Sequence, residues 1–87
     1  MPKVCEFFGI EIVFNNRVEH NPPHFQARHA GHEGIFSISP LAYMRGDLSP
    51  RAVALVIEWA ALHAEELSDS WILAREMKPI PQIAPLE

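Results

Sequence analysis

The 87-residue chain is 48% apolar and carries a formal charge of −4, with seven Lys and Arg against eleven Asp and Glu. That apolar content excludes intrinsic disorder in spite of eight prolines, and the acidity argues against a general nucleic-acid binder, which carries a basic stripe. A single cysteine, Cys5, excludes an internal disulfide, and no run approaches the ~20 apolar residues of a membrane helix, so a cytoplasmic protein is expected.

Up to about residue 48 the chain reads as β. Residues 4–15, VCEFFGIEIVFN, are rich in aromatic and β-branched types, with Gly9 as a bend or bulge and Cys5 as a buried small hydrophobe. Asn15 and Asn16 suit a turn. Pro22 and Pro23 forbid helix and remove two backbone donors, so 20–23 should lead into the next strand in extended form. The stretch HFQARH-AG-HEGIFSI predicts a hairpin with Ala30-Gly31 at its tip. Its register pairs His29 with His32, Arg28 with Glu33, Ala27 with Gly34, Gln26 with Ile35 and Phe25 with Phe36. Alternation then gives a core face of Phe25, Ala27, Gly34, Phe36 and Ile38. The other face collects His24, Gln26, Arg28, Glu33 and Ser37, with Ile35 as the apolar exception. A short strand at LAYMRG completes the sheet.

From Ser49 the pattern is helical, with Ser49 as N-cap and Pro50 at the first helical position. Ala52, Leu55, Val56, Trp59, Leu62 and His63 recur at spacings of three and four, a stripe for the core. Val53, Ile57, Ala60, Ala61 and Ala64 lie off that stripe. A helix apolar on two sides predicts a second partner, another protomer or a different protein. The helical pattern continues through Leu67, Trp71 and Ala74, and Ser68-Asp69-Ser70 either interrupts one long helix or caps a second. Three prolines in KPIPQIAPLE predict an extended tail over 79–87, lying on the domain or on a partner. The expected fold is α+β: one domain over 1–78, with an antiparallel sheet of three to four strands packed by one long or two short C-terminal helices.

Four of five histidines fall within residues 19–34, EHNPPHFQARHAGHEG. His20 and His24 flank two prolines, so they cannot share a helical face, and fully extended their Cα atoms lie roughly 13 Å apart. Without a cysteine pair or an HExxH motif, no metal and no cofactor is expected. His29 and His32 are expected to be solvated residues beside the hairpin tip, and His63 a partly buried, hydrogen-bonded structural residue. His24 shares the polar sheet face with Gln26, Arg28 and Glu33. An imidazole with a guanidinium and a carboxylate is a minimal set for general acid–base work on a phosphodiester, and equally describes a solvated face with an Arg28–Glu33 ion pair.

Several stretches together resemble the bacterial family labelled domain of unknown function 4160. They are FFGI near the start, HNPPHF at 20–25, EW…LH at 58–63, the tryptophan and AR of 71–75, and the closing KPIPQIAPLE. The resemblance runs over nearly the whole chain, and HNPPHF is its most specific part. It implies a short stand-alone protein, often encoded beside another small protein in what resembles a toxin–antitoxin or similar two-gene module. Family members usually read HNPPHFH. His20, His24 and Phe25 match that pattern, while Gln26 stands where the third histidine would be, which suits hydrogen bonding better than metal ligation. His29 and His32 occupy positions that are often aromatic or glycine in the family.

These readings lead to three functional expectations. The first is a component of a toxin–antitoxin-like pair that binds a protein partner through its helical face and tail, with His20, His24, Gln26, Arg28 and Glu33 as a polar site for RNA or a phosphate. The second is a metal-independent ribonuclease-type phosphodiesterase, with His24 as acid or base and Arg28 stabilising developing charge. The third is a homodimeric scaffold without catalysis.

Overall fold

In the computed structural model, which describes residues 3–14 and 22–87, five strands precede two helices. The strands are β1 (Lys3–Phe7), β2 (Ile10–Val13), β3 (His24–His29), β4 (His32–Ile38) and β5 (Leu41–Gly46), and the helices α1 (Pro50–Leu62) and α2 (Ala64–Arg75). The strands form one antiparallel sheet in the order β1-β2-β3-β4-β5. The α+β class is as expected, but the sheet has five strands rather than three or four. The extra strand arises at Phe8-Gly9, where a bend was expected. Both residues adopt positive φ (50° and 76°), reversing the chain in a two-residue hairpin loop of the primed kind. Ala30 and Gly31 do the same at the β3–β4 tip.

The β3–β4 register is the one the sequence predicts, from Phe25↔Phe36 through Arg28↔Glu33 to His29↔His32. Phe25, Ala27, Gly34, Phe36 and Ile38 are all buried, facing the helices. The core is largely aromatic. Trp59, wholly buried on α1, meets Phe7 at 5.5 Å and the edge of Phe25 at 6.1 Å, and Phe25 stacks on Phe36 at 5.4 Å. Each such pair adds roughly 0.5–1.5 kcal/mol beyond the area it buries.

The α1 N-cap is the expected one: Ala52 N–H donates to Ser49 Oγ at 3.2 Å, with Pro50 in the first turn. The helical segment breaks at His63 (φ −126°, ψ 31°) and not at Ser68-Asp69-Ser70. His63 is half-buried, its ring lies 5.4 Å from Trp59, and its Nδ1 is 2.6 Å from Glu66 Oε1, so its side chain holds the corner. Ser70 does not cap. Its hydroxyl donates to Glu66 O, one turn back inside α2. The break also turns Leu62 out of the stripe, and it is exposed. Ala60, expected off the stripe, is buried, and Val53 and Ile57 are half-buried against the core. Ala61 and Ala64 are exposed.

The proline-rich tail lies on the domain itself. Ile83 is buried, its N–H donates to Val4 O at 2.8 Å, and Gln82 Nε2 donates to Lys3 O at 2.7 Å. The Trp59 indole N–H donates to Ala84 O at 2.8 Å, joining tail, β1 edge and helix. Among the described residues, no helix is long and apolar enough to cross a membrane.

Candidate functional site

The sheet face turned away from the helices carries two rows of side chains, fixed by strand register. One row runs Lys3, Val13, Gln26, Ile35, Arg45 and the next Glu6, Glu11, Arg28, Glu33. Cations end the first row, and its centre is apolar apart from Gln26. The second row is acidic around Arg28. Lys3 Nζ joins the rows, 2.8 Å from Glu6 and 3.6 Å from Glu11, and so relieves the repulsion of two glutamates paired directly across β1 and β2.

Three of the anticipated site residues meet here. Arg28 Nε lies 3.6 Å from Glu33 Oε2 as a half-exposed cross-strand pair, and Gln26 stands beside them. The Gln26 Oε1 atom is buried and accepts no hydrogen bond among the described residues. Two shallow concavities adjoin at Glu33. One, of about 420 Å³, lies between the two hairpin tips and is lined by Glu6, Glu11, Arg28, His29, His32 and Glu33 among others. The other, of about 400 Å³, is lined by Gln26, Glu33, Ile35, Arg45 and Asp47 with the glycines between them.

His24 stands apart from this group. Its Nδ1 lies 3.0 Å from Pro22 O, and its ring packs against Trp71 of α2 at 5.0 Å. Arg28 lies four positions further along the same strand, roughly 13 Å between Cα atoms at the usual rise. His24 as acid or base with Arg28 stabilising developing charge would need both side chains within reach of one phosphate. His24 thus packs toward α2, while Arg28 pairs with Glu33 farther along the strand. His20 lies outside the described residues, as does the Asn15-Asn16 turn.

Asp47, absent from the sequence reading, is the main polar anchor at this end of the sheet. Its Oδ2 is 2.9 Å from His32 Nδ1, its Oδ1 accepts the Glu33 N–H at 3.0 Å, and its own N–H donates to Glu33 O. The hydrogen bond from His32, followed by that of the Glu33 N–H, holds its carboxyl below the ordinary value of 3.8. The sequence signal was present in GDLSP, an aspartate just ahead of a helix cap, but its partner is fourteen residues upstream. His32 is thus a bonded residue rather than a merely solvated one. Cys5 is buried, and burial raises its thiol pKa. Among the described residues no three His, Cys, Asp or Glu side chains group closely enough to hold a metal ion.

The family described as Domain of unknown function (DUF4160) matches residues 9–72. The chain belongs to this family. Neither a curated protein nor a solved structure matches it. The DUF4160 match begins in the β1–β2 turn and ends within α2, a narrower span than the near-complete coverage expected. It contains the whole β3–β4 hairpin with Gln26, Arg28 and Glu33. Strand β1 and the tail that bonds to it lie outside the matched residues.

Proposed function

We propose that this DUF4160 chain acts in the cytoplasm by binding a protein partner, as one half of a toxin–antitoxin-like two-gene module. The observation that carries the reading is on the helical layer, where Leu62 is 69% and Ile72 54% exposed. Leu62 stands in water at the end of α1, beside the His63 corner, and Ile72 on the outer side of α2, so both offer apolar surface that a partner would cover. The phosphodiesterase reading draws less support. His24 is engaged by Pro22 and Trp71 at a distance from Arg28, and the acidic row around Arg28 repels a polyanion.

The test is co-expression with the product of the adjacent gene, followed by size-exclusion chromatography, for wild type and His24→Ala. Complex formation by both, with host growth unaffected by the chain alone, is the expected result. RNA cleavage by wild type that disappears in a stably folded His24→Ala protein would establish the enzyme reading instead. A homodimer that ignores the adjacent product would establish the scaffold.

A further inference from the structure

The charges of the two outer surfaces are handled differently. On the sheet face, each of these carboxylates has a partner within the chain: Glu6 and Glu11 share Lys3, Glu33 lies against Arg28, and Asp47 is bonded to His32. On the helical layer, exposed Glu58, Glu65 and Asp69 take part in no ion pair among the described residues. Glu58 and Leu62 are four apart on α1, and Glu65, Asp69 and Ile72 follow at i, i+4 and i+7 on α2, so each set shares one helical face. Glu65 and Asp69 also line a groove of about 310 Å³ between α2 and the β4–β5 turn, where Ile38, Ser39, Ala64 and Ser68 complete the walls. The surface thus combines an exposed aliphatic side chain, a groove beside it, and carboxylates that pair with no cation among the described residues.

We infer that this α2 surface docks a basic amphipathic segment of a different protein. Lys or Arg side chains would enter the groove between Glu65 and Asp69, and an apolar side chain would cover Ile72. The inference rests on the partner-binding reading above and specifies the partner's chemistry. A second copy of the chain does not fit. Closed two-fold association sets a patch against itself, and α2 carries Glu65, Glu66 and Asp69 against the one cation Arg75, so two copies would meet with an excess of like charge. Like-charge juxtaposition of this kind suppresses pairing, whereas a cationic segment gains both encounter rate and register. Nucleic acid is excluded from this surface by the same sign of charge.

Three synthetic peptides with one common aliphatic face and basic, neutral or acidic polar faces provide the probe. They are titrated into the full-length, isotopically labelled chain, and amide shifts and affinity are read together. The basic peptide should shift amides around Glu65, Asp69 and Ile72, and added salt should weaken it. The double variant Glu65→Lys/Asp69→Lys, at exposed positions that leave the core untouched, should lose about tenfold or more in affinity for it and gain affinity for the acidic peptide. Unchanged affinity in the double variant overturns the inference, as do shifts confined to Glu11 and Glu33, or a dimer that the reversal dissociates. Co-expression separates the two levels. An adjacent-gene product that binds wild type and the double variant equally leaves partner binding intact and removes this surface from it. A product that binds neither, with the peptide behaving as described, removes the module reading and leaves the surface.

Discussion

Gln26→Met tests the reading of the open sheet face most directly. The buried Gln26 carbonyl oxygen lacks a hydrogen-bond partner among the described residues, and its cross-strand neighbours are Val13 and Ile35. An unsatisfied buried polar atom costs about 1–3 kcal/mol. Methionine has nearly the same length and flexibility and no such requirement, so the exchange removes the cost and keeps the packing. Stability should rise by about 1 kcal/mol or more, which for a domain of this size moves Tm up by roughly 4–8 °C per kcal/mol. Thermal and urea unfolding followed by circular dichroism give both numbers. Gln26→Ala serves as the control, since it removes the same atom but leaves a gap between Val13 and Ile35 and should gain little or nothing. A Tm for Gln26→Met equal to or below wild type would mean that the amide is satisfied, and the argument would fail. A stabilised variant that also loses a ligand would mark Gln26 as a group held at a cost for binding.

Three further results are expected. Gly46→Ala should destabilise by about 3 kcal/mol or more, read as a fall in the urea midpoint at constant slope. At its φ of 133° an added Cβ would sit 2.3 Å from Glu33 O and 2.5 Å from Gly34 Cα, both backbone, so β4 and β5 would have to part. The stability advantage of wild type over Asp47→Asn should be complete above pH 3.8 and should shrink as pH falls through the lower folded value, because the folded state holds that carboxyl ionised; an advantage that persists unchanged in acid would remove Asp47 from the role given it. Cys5 should resist thiol reagents in the native protein and react on unfolding, since burial keeps it protonated; fast native labelling would contradict its place in the core.

The β3–β4 hairpin was legible because a period of two leaves little choice of register once Phe25, Ala27, Phe36 and Ile38 must share a face. The β1–β2 hairpin was not. Its turn puts Phe8, a bulky residue with no turn preference, at positive φ inside an aromatic run, and only Gly9 hinted at it. The helix break went to His63 for a similar reason. Ser68-Asp69-Ser70 looks like a stop from local preference, but Ser70 finds its acceptor inside the helix, while His63 is held out of helical geometry by Trp59 and Glu66. For the candidate site, strand pairing gave Arg28–Glu33 and the position of Gln26. Asp47 and the packing of His24 on Trp71 depend on elements that meet only after the sheet has folded.

The tail's grip on β1 also bears on how this sheet can grow. Ile83 and Gln82 occupy carbonyls of Val4 and Lys3 at one margin, while β5 ends the sheet at the other. Polymerisation by strand addition requires two open margins on every unit, one to give and one to receive. Among the described residues the tail bonds to the start of the β1 margin and makes no such bond to β5, so a visiting strand has the freer place at β5. Association by that route favours two copies meeting at β5, and growth beyond the pair would first have to displace the tail from β1.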